Sequence, residues 1–400
     1  MELVLTEWLS LILRWLHVVA GIAWIGSSFY FIHLDLSLKP NRNLPAGTQG
    51  EAWQVHGGGF YHMVKFLVAP QRLPDGLTWF KWEAYTTWLS GFGLLIVTYY
   101  LAASLFLVDR SVLELTPAQA IGLSVGGLLA AWLVYEALCR SPLGRNETLL
   151  AGIGFVFLAA LCFGFTHLFS GRGAFVQMGA LIGTMMVANV FVVIIPNQKK
   201  IVAALRAGEK PDAALGLQGK QRSVHNNYLT LPVVFLMLSS HYPLAFATRY
   251  NWVIFTIVLL QGFLIRHFYN CRHAGKPNPW WTWAAAAIGM VLIAWLSWAG
   301  ARVSVAATPA TAPAVTLAQV QDIVIARCSV CHAAEPVWEG FATAPNHVLL
   351  DTPEHILQHA RQIEINAVLS NAMPPGNVTE IGDDDRRLLA TWLAQGARAN

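Results

Sequence analysis

The chain has little charge and few cysteines. Only 12% of its 400 residues are Asp, Glu, Lys or Arg, whereas 55% are apolar and 16 are tryptophan. The formal net charge of +4 is small and gives no basis for a nucleic-acid-binding protein. A composition this poor in charge and rich in apolar residues is typical of a membrane protein.

Cysteine is scarce, with five in the whole chain. Two of them stand in the stretch Cys-Ser-Val-Cys-His at residues 328–332, and the others are Cys139, Cys162 and Cys271. No second close pair is present to complete a zinc tetrahedron, and the adjacent histidine argues against a simple redox pair. The three separate cysteines are typical of small apolar core residues.

The Cys-x-x-Cys-His spacing predicts covalent attachment of one haem c. The thiols of Cys328 and Cys331 would form thioethers with the porphyrin vinyl groups, and the imidazole of His332 would ligate the iron. Met373 is the predicted second axial ligand, because the two prolines after it would fix the loop that presents its sulfur. Residues 317–400 are therefore predicted to form a small helical cytochrome c domain, with a closing helix over 383–396.

Long apolar runs fill residues 1–302. A helix crosses the bilayer core with about 20 apolar residues, and eight runs are close to that length. Most of them lack the polar stripe of a soluble helix, so we predict an all-α, eight-span integral membrane bundle. The predicted spans are Trp8–Leu34, Tyr85–Val108, Ala118–Leu138, Leu149–Ser170, Gly173–Ile195, Asn227–Phe246, Trp252–His267 and Trp280–Ser304.

Lysine and arginine are divided unevenly between the loops that would join these spans. Three lie in the even-numbered loops, namely Arg110, Arg172 and Arg249. Sixteen lie in the odd-numbered loops: Lys39, Arg42, Lys65, Arg72, Lys81, Arg140, Arg145, Lys199, Lys200, Arg206, Lys210, Lys220, Arg222, Arg266, Arg272 and Lys276. The positive-inside rule then predicts cytoplasmic odd-numbered loops and both termini on the opposite face.

The predicted orientation agrees with two other features. Glu2 and Glu7 stand where a cleavable signal peptide would have basic residues. Haem c is attached outside the bacterial cytoplasm, so we expect a bacterial inner-membrane protein with a periplasmic N-terminus and a periplasmic cytochrome c domain. Residues 303–316, rich in Ala, Pro and Thr, are predicted to be a semi-extended linker between the two parts.

Three stretches carry a resemblance to a known family, namely LHVVAGIAWIGSSF at Leu16–Phe29, VHGGGFY at Val55–Tyr61 and WFKWEAY at Trp79–Tyr85. They resemble the membrane-bound urate oxidases, also called urate hydroxylases. The resemblance covers nearly the whole chain and implies an eight-span domain fused to a cytochrome c. It also implies oxidation of urate to 5-hydroxyisourate, with electrons passed through the cytochrome to a respiratory acceptor rather than straight to oxygen.

A function of another class is compatible with the same sequence. The chain could be a non-catalytic membrane anchor that carries a cytochrome c for a partner dehydrogenase or quinol oxidase. The glycine- and histidine-rich loop at residues 35–84 favours the enzyme, because an anchor has no need of it.

This cytoplasmic loop has the groups that a planar, anionic purine requires. His56, His62 and Lys65 are the candidate catalytic residues, and the glycines at 57–59 would let backbone N–H groups approach a ligand. The alternative is a surface loop with histidines in solvent. Asn226 and Asn227 could bind a purine edge, although the sequence favours them as the cap of the sixth span.

A β-hairpin is also predicted inside the loop. Met63–Ala69 and Leu77–Trp82 alternate in polarity around the turn-forming sequence Leu-Pro-Asp-Gly at residues 73–76. We therefore expect these two segments to pair.

Electrons released on the cytoplasmic side would have to cross about 30 Å of hydrocarbon to reach haem c. Histidines within spans are costly and commonly functional, and facing imidazoles could hold b-type haem, with Arg14 pairing with a propionate. The histidines concerned are His33, His225 and His267 near the cytoplasmic ends and His17, His167 and His241 toward the outside. Span-end histidines also occur in the headgroup region without a function, where Arg14 would snorkel. An alternative to the relay is a urate site in the outer half, reached from the periplasm, with direct transfer to haem c.

Overall fold

The computed structural model of the chain describes residues 2–66, 70, 73–301, 313–339 and 341–399. Most of them are helical, in agreement with the predicted all-α class, and the one sheet is a two-stranded hairpin among these residues. Most of the predicted linker 303–316 lies outside the described residues, as do Arg72 and the end of the predicted strand Met63–Ala69.

Eleven α-helices make up the N-terminal part of the described chain. Two π-helical turns, Ile96–Tyr100 and Asn189–Ile194, follow the second and sixth of them. The helices are α1 Glu2–Ser37, α2 Trp82–Leu95, α3 Ala103–Phe106, α4 Pro117–Arg140, α5 Glu147–Thr166, α6 Gly171–Ala188, α7 Ile195–Arg206, α8 Ala213–Ser239, α9 Pro243–Phe246, α10 Asn251–His273 and α11 Trp281–Ala299.

Six helical stretches of the described residues are long and apolar enough to cross a membrane. They are Val4–Ser37, Pro117–Arg140, Glu147–Thr166, Gly171–Arg206, Asn251–His273 and Trp281–Ala299. The other two predicted spans fall on α2 with α3, which a π-turn interrupts, and on α8, whose first turns are polar. Six spans are thus supported, and the full count of eight stays a prediction.

Helix α6 forms the centre of the bundle. Its side chains are mostly apolar, and Phe175, Met178, Leu181 and Ile182 are fully buried. It packs against α2, α4, α5 and α8. A helix that is apolar on most of its surface is stable in such a central position, which leaves the outer helices to face the surroundings.

A close approach between α8 and α10 depends on a glycine. Pro232 lies inside α8, and a Cβ added at Gly262 of α10 would lie 2.5 Å from its Cδ. We expect Gly262→Ala to lower the free energy of unfolding by about 1–3 kcal/mol through overpacking. The midpoint of thermal unfolding in detergent measures this effect. Gly216→Ala is the control, because nothing surrounds Gly216 on α8 and alanine favours helix there; equal midpoints for the two variants would contradict the prediction.

The hairpin lies earlier in the chain than predicted. Strand β1, Thr48–His56, pairs antiparallel with β2, Gly59–Phe66. Gly57 and Gly58 form the two-residue turn with φ of +60° and +79°, a conformation that hairpin turns require and glycine adopts freely. The predicted pairing of Met63–Ala69 with Leu77–Trp82 is therefore wrong, because the glycines fold β2 back onto the preceding segment.

The hairpin is fixed to the C-terminal end of α1. Backbone hydrogen bonds join Lys39 to Glu51 in both directions. The Tyr30 hydroxyl donates to Gln54 at 2.6 Å, and the Lys65 ammonium lies 2.6 Å from the Asp35 carboxylate. The hairpin is thus attached to one end of the helical bundle.

The C-terminal part contains α12 Leu317–Arg327, α13 Pro353–Gln358, α14 Ala360–Ile363 and α15 Asp383–Ala394. Helix α15 confirms the predicted closing helix, with Leu389 and Trp392 buried in the domain core and Gly396 after its end at φ +89°. A separate hydrophobic core holds these helices together.

The C-terminal part docks on the bundle end opposite the hairpin. The Asn371 N–H donates to the Ala247 carbonyl at 3.0 Å. Gly376 rests on the end of α3, where a Cβ would lie 2.5 Å from the Val108 oxygen. Phe80, just before α2, contacts Phe31 at the end of α1 that holds the hairpin, with ring centroids 4.8 Å apart. The chain reaches Val108 only after α2 and α3, so the two attachments lie at opposite ends of the bundle.

Candidate functional site

The three candidate catalytic residues all lie on the hairpin. The His62 Nε2 is 2.5 Å from the Glu51 carboxylate, and its ring stacks on Trp53 with centroids 4.2 Å apart. Hydrogen bonds from Asn41 and from His62 hold the pKa of Glu51 below its usual range. Lys65 is engaged with the end of α1, as described above, and His56 is exposed at the turn.

Through these contacts His62 stabilises the hairpin itself, and Lys65 joins the hairpin to α1. A histidine paired with a carboxylate can still accept a proton, so the contacts do not decide its catalytic role. The hairpin site stays a prediction.

The intramembrane histidines lie in different surroundings. His17 bonds the Thr87 carbonyl at 2.8 Å, in space that Gly91 leaves open, since a Cβ there would lie 2.7 Å from the imidazole. Four of the side chains predicted to hold an intramembrane haem are exposed: His167, His241, His267 and Arg14, the proposed propionate partner. Among the described residues, one pair of imidazoles is in ring contact, His33 with His273, and the second of these was not foreseen.

A buried, charge-balanced network surrounds Arg222, which is 3% exposed. Its Nη2 lies 2.8 Å from Oε2 of Glu136, and its Nη1 donates to Asn189 at 3.3 Å. The Tyr135 hydroxyl accepts from Asn189 at 3.0 Å and meets Nδ1 of His225 at 2.8 Å. The sequence predicts Arg222 in a loop, and this prediction is wrong. Arg222 lies inside α8, where the Glu136 carboxylate compensates its charge.

A second buried cation, Arg266, has no such carboxylate. It is 5% exposed, lies inside α10 and not in a loop as predicted, and its guanidinium stands 4.0 Å from the Phe29 ring centroid. Its Nε and Nη2 both donate to Oδ1 of Asn227 at 3.3 Å, and Nη2 donates to Asn270 at 3.1 Å. Among the described residues it forms no ion pair.

Three buried nitrogen atoms on helices α1, α8 and α10 lack hydrogen-bond partners among the described residues. They are Nδ2 of Asn227 and the Nδ1 atoms of His33 and His273, whose rings lie 4.4 Å apart. We call Arg266, Asn227, Asn270, His33 and His273 the Arg266 cluster. It brings together α1, α8 and α10, near the hairpin end of the bundle.

Sequence reasoning missed most of the Arg266 cluster. Helix α8 begins at Ala213, so Asn226 and Asn227 lie in its middle and the prediction that they cap a helix is wrong. The available signal was Arg266 at the end of an apolar run, since a charged residue in such a run is commonly functional.

The residues predicted to bind haem c are each held by local contacts, and their binding of haem stays a prediction. Nδ1 of His332 lies 2.9 Å from the Val348 carbonyl, so the ring donates there and Nε2 stays free to ligate. The Met373 backbone is held by a 2.8 Å bond to Asn366. Burial raises the pKa of the Cys328 thiol to about 12. Among the described residues no cluster of three or more His, Cys, Asp or Glu could hold a metal ion, a condition that a porphyrin iron does not require.

Residues 3–297 match the family model described as urate oxidase N-terminal. No curated protein and no solved structure matches the chain.

Proposed function

The chain belongs to the urate oxidase N-terminal family, and we propose that it oxidises urate to 5-hydroxyisourate and passes the electrons through a fused monohaem cytochrome c to a respiratory acceptor. Urate and water give 5-hydroxyisourate with release of two protons and two electrons, and water supplies the added oxygen. Haem c, when bound, accepts electrons singly, so each turnover requires two transfers.

Cys328 and Cys331 would hold this haem covalently, with His332 and Met373 as iron ligands. The fixed orientation of the His332 ring supports this assignment, because its second nitrogen is already hydrogen-bonded. The proposed electron route is supported by the contact between the C-terminal part and the bundle. The segment that contains Met373 is also the one that rests on Val108 and Ala247 of the family-matched part.

The proposal includes eight spans, a bacterial inner-membrane location and a periplasmic cytochrome domain. The periplasmic cytochrome domain is supported by its position, because the C-terminal part lies at the bundle end opposite the hairpin. The basic loops cluster at the hairpin end, which the positive-inside rule assigns to the cytoplasm. A b-type haem in the bundle stays part of the proposal as a relay for electrons.

Anaerobic addition of urate to the purified, oxidised full-length protein tests the function. We expect the absorbance of haem c to change to that of the reduced form without any partner protein. No reduction would support the non-catalytic anchor instead. A pyridine haemochrome spectrum of the same sample types the haems, and a spectrum with c-type haem alone would remove the b-type relay.

A further inference from the structure

The two buried arginines of the bundle differ in what compensates their charge. Arg222 has a carboxylate at 2.8 Å, whereas Arg266 is bonded only to amide oxygens and an aromatic face. A buried cation is costly unless it is paired, so an arginine without a carboxylate indicates a place for an external anion. Neutral partners at 3.1–3.3 Å hold the guanidinium without neutralising it.

The unused donors of the Arg266 cluster point to the same ligand. All the bonds that Arg266 makes use Nε and Nη2, so the described residues leave Nη1 without a partner. Asn227 is fully buried, its Oδ1 is shared by Arg266 and Asn270, and its Nδ2 has no acceptor. Buried amide groups without a partner are rare, and an oxygen-rich ligand would satisfy this one.

The His33 and His273 imidazoles complete the set. Each presents a buried Nδ1 without a partner, and the two aromatic rings meet edge to face with centroids 4.4 Å apart. Phe29 forms another aromatic surface next to the guanidinium. The cluster therefore combines one cation, several donors and aromatic faces, which suit a planar anion bearing carbonyl oxygens.

We propose that the Arg266 cluster binds the urate anion, with the guanidinium of Arg266 and the amide of Asn227 contacting its oxygen atoms. This assignment rests on the proposed function and names its binding site. Urate would then enter at the bundle end that carries the hairpin, since Asp35 and Tyr30, two residues and three residues from His33, hold the hairpin there.

Equilibrium dialysis of urate against the full-length protein tests the site. The protein is kept anaerobic and reduced with dithionite, so that it cannot oxidise the ligand during the measurement. Asn227→Asp puts a carboxylate beside Arg266 with almost no change of shape. We expect it to weaken urate binding roughly 10- to 100-fold, since a charged hydrogen-bonded contact is lost, while the thermal midpoint without urate stays equal to wild type or rises.

Two further variants control for unfolding and for general charge. Arg266→Gln should weaken binding to a similar degree, and Arg272→Gln should bind as wild type, because Arg272 is an exposed cation on the same helix. Wild-type affinity in Asn227→Asp or Arg266→Gln would overturn the site and leave the proposed function standing.

Two other outcomes would also overturn the site. Failure of the wild type to bind urate would count against the function as well. Stabilisation by vesicles containing phosphatidylglycerol instead of urate, lost in Arg266→Gln, would show a lipid-phosphate site.

Discussion

Replacing Cys328 and Cys331 with alanine is expected to remove all covalently bound haem from the protein. Both thioethers are lost, so haem staining of the denatured band should fall to background. Reduction of a haem c signal by urate should disappear with it. The C-terminal part should also unfold more readily, because a domain of this size buries too little apolar surface to be stable without its cofactor.

Two variants separate attachment from other effects. Cys271→Ala should stain as wild type, since this cysteine lies on α10 beside His267 and outside the C-terminal part. Met373→Ala should retain covalent haem and stain normally while its reduction by urate slows, because the thioether ligand that raises the haem potential is gone. Staining of the double cysteine variant at wild-type intensity would show that no haem is attached at these positions.

The helices could be predicted from the sequence because their signals are local. A run of apolar residues needs no partner to be recognised, and the six supported spans follow from such runs. The closing helix α15 is also encoded locally, by three aspartates at its start and a glycine after its end. The Cys-x-x-Cys-His motif is equally local, since its chemistry lies within five consecutive residues.

The pairing of β2 could not be decided by alternation alone. The segment around Met63 alternates in polarity whichever neighbour it pairs with, and turn-forming residues stand on both sides of it. The hairpin turn forms at Gly57 and Gly58 because two adjacent glycines readily adopt the positive φ of a two-residue turn. The competing turn sequence at residues 73–76 contains a proline instead. A glycine-rich stretch predicted to face a ligand is therefore the turn itself.

The burial of the polar groups could not be predicted from the sequence for a different reason. Arg222 and Arg266 each stand at the edge of an apolar run, where sequence alone cannot tell a loop residue from a buried one. Their partners come from other helices, Glu136 from α4 and Asn227 from α8. Such contacts between distant positions require the packed structure, and only then does the difference in charge compensation become visible.

Glu136→Gln is expected to destabilise the protein more than the other single changes in the bundle. Its carboxylate is the charged partner of Arg222, which would remain buried with only neutral contacts. Removing one member of a buried ion pair costs about 3–5 kcal/mol, because the other charge is left uncompensated. The midpoint of thermal unfolding in detergent should therefore fall on the order of 10 °C.

Arg140 provides a matched control, because it pairs with the same Glu136 carboxylate as Arg222. Arg140 lies 2.5 Å from Glu136, but its side chain is 69% exposed, so Arg140→Gln should cost less than about 1 kcal/mol. The double variant Glu136→Gln with Arg222→Gln should recover much of the lost stability, because it removes the stranded charge as well as its partner. An equally small effect of Glu136→Gln and Arg140→Gln would mean that Arg222 is reached by water, and the contrast between the two buried arginines would then lose its physical basis.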